Sequence, residues 1–156
     1  MASKYIALPK GVSETVFDTA ISRFREILGD TAVLTNAEQL APYIKTMMPV
    51  PDADHAPSAA LLATTVEQIQ KIVAICNQYK VPIWTISTGK NFGYGSAAPV
   101  ERGQVVLDLK RMNRILEVDK DLAYALVEPG VTYQQLYDYI DEHQLGLWLS
   151  VPAPSA

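Results

Sequence analysis

Apolar positions recur at steps of three and four between residues 13 and 29. Val16, Phe17, Ala20, Ile21, Phe24, Ile27 and Leu28 share one side, and Glu14, Asp18, Arg23, Arg25 and Glu26 fall mostly on the other. This spacing predicts an amphipathic helix with Ser13 as N-cap and Gly29 as stop. Ala32-Val33-Leu34 reads as a short strand. Asn36 then caps a short helix that Pro42 closes, and residues 45–58, punctuated by Pro49, Pro51 and Pro57, read as a loop.

From residue 59 the pattern changes. Ala59–Ala63 is an apolar run suited to a buried strand. Thr65 and Gln68 form a capping-box pair, and Val66, Ile69, Ile72, Val73 and Cys76 mark one helix face. Val81–Ile86 is a second apolar run, so strand, helix and strand resemble a βαβ unit with a parallel pair. Gln104–Leu109 is a further buried strand candidate. Arg114–Val118 and Leu122–Glu128 bracket Asp119-Lys120-Asp121 as a hairpin. Pro129-Gly130 breaks the second arm, Thr132 with Gln135 starts another helix, and Leu147-Trp148-Leu149 opens a further apolar segment with the character of a strand. No internal repeat or low-complexity segment interrupts this order. It divides into an N-terminal helical segment with its loop, 1–58, and a second unit, 59–156.

Composition narrows the function classes. The 156 residues are 49% hydrophobic and 19% charged, as in a folded globular chain. A formal net charge of −4 argues against nucleic acid as a partner. No run approaches the roughly 18 apolar residues of a membrane span, and the start, MASKYIALPKG, lacks the apolar core of a secretory signal. A single cysteine, Cys76, excludes an intrachain disulfide framework and a zinc site built on several cysteines. His55 and His143 have no third ligand at metal spacing, so no metal is expected.

The chemistry concentrates in Ser87-Thr88-Gly89-Lys90-Asn91-Phe92-Gly93-Tyr94-Gly95-Ser96, directly after an apolar run. Glycines let main-chain amides approach a ligand, and successive amides make a concave anion site. Ser87, Thr88 and Asn91 add donors and Lys90 a positive charge. The spacing matches neither G-x-G-x-x-G nor the P-loop. Two readings stand side by side: a cradle for a pyrophosphate, and a wide turn joining strands. Tyr94, framed by Gly93 and Gly95, offers a phenol suited to a phenolic or carbonyl ligand; the plain alternative is a tyrosine packed on the surface. Glu128-Pro129-Gly130-Val131-Thr132 is a turn into a helix, which either places a helix N-terminus by an anion or merely ends a strand.

The segments PIWTISTGKNFGYGSAAP, RGQVVLDLKRMNRILEVD, YALVEPGVTYQQLYDYI and VPAPSA together resemble the flavoprotein family of vanillyl-alcohol oxidase and p-cresol methylhydroxylase. LPKGVSETVFDTAISRFREILGD and MMPVPDADHAPSAA extend the likeness over nearly the whole chain. The resemblance implies an α+β fold, the N-terminal part of a two-subdomain FAD-binding domain of the p-cresol methylhydroxylase type. It implies FAD as cofactor, with Ser87, Thr88, Gly89, Lys90, Asn91, Phe92 and Gly93 around the pyrophosphate, Pro129 and Gly130 near the cofactor, and Pro152 and Ser155 opening the next flavin-contacting segment. Tyr94 matches the family tyrosine that touches the substrate's phenolic oxygen, the one catalytic residue expected here. Lys90 stands where several relatives carry arginine, which keeps the charge and loses bidentate geometry.

Oxidase relatives carry aspartate where this chain has Ala153, as in the dehydrogenase branch. The resemblance therefore implies oxidation of a para-alkylphenol such as 4-cresol, with electrons passed to a c-type cytochrome subunit, in a homodimer of the flavoprotein. The alternatives are an oxygen-using oxidase of vanillyl-alcohol-like or eugenol-like phenols, and a non-catalytic binding module. The chain ends where the family continues, so it is expected to be an N-terminal fragment, nearly inactive alone. Its compartment stays open between cytoplasm and periplasm.

Overall fold

The computed structural model describes residues 3–90 and 96–150. Helix α1 runs from Glu14 to Leu28, bounded as its pattern requires: the Ser13 hydroxyl accepts from the Val16 amide, and the Gly29 amide donates to the Arg25 carbonyl at 2.8 Å. A 3-10 turn, Asp30–Ala32, leads into β1, Val33–Leu34, so the expected strand is shorter by one residue. Asn36 caps α2, Ala37–Leu40, by accepting from the Gln39 amide at 2.8 Å. Pro42 does not end the turn. It lies early in a 3-10 stretch, Ala41–Tyr43, where its missing N–H has no acceptor to lose, and this carries Tyr43 into the core. The loop at 45–58 holds one 3-10 turn, Asp52–His55. Arg102 fastens it, donating to the carbonyls of Ala53 and, at 2.6 Å, of Ile6.

Strand β2 is Ala59–Leu62 and helix α3 is Val66–Tyr79. The cap of α3 is shifted from a strict box. Thr65 accepts from the Gln68 amide at 3.2 Å, but the Gln68 side chain reaches back to the Thr64 amide at 2.8 Å rather than to Thr65. Strand β3, Ile83–Ile86, and strand β4, Val105–Asp108, complete a four-stranded sheet in the order β1-β2-β4-β3. The parallel pairing expected of β2 and β3 is therefore corrected: both are parallel to β4, which lies between them, and β1 closes the β2 edge antiparallel. An apolar strand has two ladder edges to fill, and β4 fills both of its own.

Side chains alternate across this sheet. Ala59, Leu61, Val105 and Leu107 face α1 and α3, where Phe17, Ile21, Phe24, Ile72 and Cys76 form the larger core. Ala60, Val106 and Ile86 face the other way, onto Leu40, Tyr43 and Ala97. Apolar runs buried on both faces are what a parallel sheet demands. The larger core crosses residue 58, since Tyr5, Phe17 and Phe24 pack with Ala59 and Leu61. Burial pushes the Cys76 thiol up to about 12.

Strands β5, Ile115–Asp119, and β6, Tyr124–Val127, form the expected antiparallel hairpin, with a register shift between Ile115 and Glu117. Asp119 accepts from the amides of Asp121 and Leu122 at 2.9 and 2.8 Å, which closes the turn. At its base Arg114 donates through Nη2 and Nε to Glu128 Oε1 at 2.6 and 3.0 Å, and its amide donates to Oε2 at 2.8 Å. Helix α4, Tyr133–Glu142, starts in a full capping box between Thr132 and Gln135. Residues 147–150 are irregular, so the strand expected to open there does not begin within them, and Trp148 is exposed. Among the described residues no helix is long and apolar enough to cross a membrane.

Two consequences can be measured on the intact protein. Phe24 is fully buried, so Phe24→Ala is expected to lower unfolding free energy by about 3–5 kcal/mol in denaturant titration, while Val16→Ala, at a position that the periodicity puts on the apolar side but the fold leaves 39% exposed, changes it by less than about 1 kcal/mol. The Arg114 guanidinium holds the Glu128 carboxyl below its ordinary value of 4.5. A depressed acid stabilises the fold fully above its unfolded-state value and loses that contribution as pH falls through its folded-state value. Acid titration of stability should therefore show a decline below about pH 4.5 that Arg114→Met flattens.

Candidate cofactor site

Because β2, β4 and β3 run parallel, Leu62, Asp108 and Ile86 end level with one another, in one register row. The C-terminal edge of such a sheet is where α/β folds place ligands. Ser87, Thr88, Gly89 and Lys90 leave β3 at this edge, and the Leu109 amide donates to the Ile86 carbonyl at 3.0 Å, which holds the two strand exits together.

Gly89 has φ +76°, in the left-handed region, and a Cβ there would stand 2.8 Å from Ala97 Cβ. Only glycine allows the chain to turn so tightly against the returning segment. A cleft of about 240 Å³ opens here, lined by Trp84, Thr85, Ile86, Ser87, Gly89, Lys90 and Ser96. The Trp84 indole nitrogen is buried without a hydrogen-bond partner among the described residues.

The second candidate turn meets the first. The Ser87 hydroxyl donates to the Pro129 carbonyl, across 42 positions of sequence. Gly130 follows, buried, with its amide donating to the Met112 carbonyl at 2.8 Å. A Cβ on Gly130 would lie 2.6 Å from the Leu109 carbonyl oxygen and 2.7 Å from that of Lys110. Main chain packs on main chain there, with no room for a side chain. Ser87, Thr88, Gly89, Lys90, Pro129 and Gly130 therefore gather at one edge. Asn91, Phe92, Gly93, Tyr94, Pro152, Ala153 and Ser155 lie outside the described residues.

A polar group that the sequence reading did not single out sits beside them. Asp108 ends β4 and is 1% exposed. Its Oδ2 accepts from the Tyr43 hydroxyl at 2.6 Å and lies 3.0 Å from Lys110 Nζ, and its Oδ1 accepts from the Lys110 amide at 2.9 Å. Burial and the Asp108 carboxylate raise the Tyr43 phenol above its ordinary value. The available signal was one acidic residue closing the apolar run Val105-Val106-Leu107, a place where an unpartnered charge would be costly.

The arrangement suits a dinucleotide diphosphate. Among the described residues it has a glycine that permits close approach, hydroxyl donors and one lysine, and no carboxylate lines the cleft. The chain is 63% identical over 149 residues to the 4-cresol dehydrogenase [hydroxylating] flavoprotein subunit of Pseudomonas putida, covering 96% of this chain and 29% of that protein. It superposes on p-cresol methylhydroxylase with substrate bound at TM-score 0.93, again with 63% identity over 96% of this chain and 29% of the other. It superposes on the 4-ethylphenol oxidase of Gulosibacter chungangensis, in complex with isoeugenol, at TM-score 0.90 and 36% identity, covering 96% of this chain and 29% of that one. The chain thus spans less than a third of the length of these relatives. The family described as FAD binding domain matches residues 57–155, which take in β2 to α4 and both glycine turns: the chain belongs to this FAD-binding family, and FAD is the cofactor of its domain.

Proposed function

We propose that this chain supplies the diphosphate-holding part of an enzyme that oxidises para-alkylphenols, turning 4-cresol into 4-hydroxybenzyl alcohol and on to the aldehyde. The observation that carries the reading is the Ser87–Pro129 hydrogen bond, because it joins the two turns that a flavin site needs side by side. The family match and the 63% identity to a 4-cresol dehydrogenase subunit support the same substrate class.

In this reading Thr88 and Asn91 donate to diphosphate oxygens, Ser87 borders them with its hydroxyl committed to the Pro129 carbonyl, Gly89 and Gly93 let main-chain amides close on them, and Lys90 balances their charge. Phe92 packs beside the cofactor, Pro129 and Gly130 border it, and Pro152 and Ser155 contribute from the last segment. FAD, when bound, would supply the acceptor for a hydride from the para-alkyl carbon of the substrate phenolate, and water would supply the hydroxyl and proton that turn the resulting quinone methide into the benzylic alcohol. Tyr94 donates a hydrogen bond to the phenolic oxygen and so favours loss of the phenol proton, giving the phenolate from which hydride departs. Electrons leave to a c-type cytochrome subunit, and the flavoprotein works as a homodimer. A second reading, oxidation with oxygen as acceptor, is favoured by the likeness to 4-ethylphenol oxidase. Ala153 in place of the oxidases' aspartate weighs toward the dehydrogenase.

In the full-length protein, Tyr94→Phe is expected to lower 4-cresol turnover by roughly 100-fold, the scale of losing one donor to an oxyanion, while FAD stays bound. Equal turnover by the variant removes Tyr94 from this role. The acceptor is decided by following cytochrome c reduction and peroxide release in the same reaction: reduction without peroxide supports the dehydrogenase, and stoichiometric peroxide supports the oxidase.

A further inference from the structure

Asp108 poses a physical question. Buried ion pairs are often replaceable by apolar side chains without loss of stability, so a carboxylate kept inside a sheet calls for a geometric reason. The reason lies in what it joins. Oδ1 holds the main-chain amide of Lys110, two residues ahead, and so sets the turn that leaves β4. Oδ2 holds the Tyr43 hydroxyl, 65 positions away, and Lys110 Nζ completes the cluster at 3.0 Å from Oδ2 and 3.3 Å from the Tyr43 oxygen. An apolar replacement would satisfy none of these donors.

That turn is the surface on which the second glycine rests. The carbonyl oxygens of Leu109 and Lys110 are the atoms that a Cβ on Gly130 would strike. Leu109 also accepts from the Met112 amide at 2.9 Å, and Met112 accepts from Gly130 at 2.8 Å, so the turn and the glycine are tied twice. Pro129, one residue earlier, accepts the Ser87 hydroxyl. A continuous series of short contacts thus runs from Tyr43 through Asp108, the 109–110 turn and Gly130 to the first residue of the loop after β3.

We infer that Asp108, held by Tyr43, is a positioning residue for FAD: it fixes the Leu109–Lys110 turn against Gly130 and thereby places the Ser87 hydroxyl and the start of the diphosphate loop. The inference rests on the flavin reading of residues 87–90. It assigns Asp108 no contact with the cofactor.

The test is FAD titration of the full-length protein prepared free of flavin, followed by fluorescence quenching, with the thermal midpoint of each variant measured without FAD. Asp108→Asn and Tyr43→Phe are expected to weaken FAD binding about tenfold, the scale of a lost hydrogen bond to a charged group. Gly130→Ala weakens it as well, and Tyr43→Phe with Gly130→Ala together weaken it no more than the stronger single change, because both act through one turn. Ile72→Val, in the core on the far face of the sheet, lowers the midpoint and leaves FAD affinity within about twofold. If Tyr43→Phe, the mildest variant, binds FAD within about twofold of wild type, or if the two changes simply multiply, the inference is overturned. Wild-type protein that takes up no FAD overturns the flavin reading and this inference with it. Wild-type protein that binds FAD no better than folded variants overturns the inference alone.

Discussion

The placement of β4 between β2 and β3 governs the ligand edge. Val105, Val106, Leu107 and Asp108 pair with Ala59–Leu62 on one side and with Ile83–Ile86 on the other. Both ladders are parallel, so three strands end together and three chain exits emerge at one edge. The exits of β3 and β4 are further linked by the Leu109 amide on the Ile86 carbonyl. Without β4 in this position the loop at 87–90 would have no floor, and the turn at 109–110 would not stand where Gly130 leans on it.

Two carboxylates near that edge have structural duties. Asp108 is buried and serves two main elements at once, the turn after its own strand and the 3-10 stretch carrying Tyr43. Glu128 ends the arm of the hairpin and receives Arg114 by side chain and main chain together. The cleft itself is lined by Lys90 and by uncharged side chains, three of them hydroxyls. Among the described residues, carboxylates thus belong to the framework and none lines the cleft.

Local order was legible in the chain wherever one residue satisfies a defined main-chain need. Ser13, Asn36, Thr65 and Thr132 announce helix starts because each supplies an acceptor to an orphan amide, and all four do so. The hairpin was legible for the same reason, through Asp119. Strand order was not. Val105–Asp108 and Ala59–Leu62 are similar apolar runs, and nothing in either tells which neighbour it will choose across more than forty residues. The glycine turns were visible as composition, but only the fold shows that Gly130 has no room for a Cβ and that Ser87 reaches Pro129. Asp108 escaped because a lone acid in an apolar run declares that it needs partners without naming Tyr43 and Lys110.

The thiol between α1 and α3 gives this architecture a built-in gauge. Cys76 is the chain's lone cysteine, packed in the core shared by both helices, and its high proton affinity leaves almost no thiolate at neutral pH. An alkylating reagent in solution would therefore find it inert until the core between the helices opens. The rate of its labelling would time that excursion, with no probe attached and no residue changed.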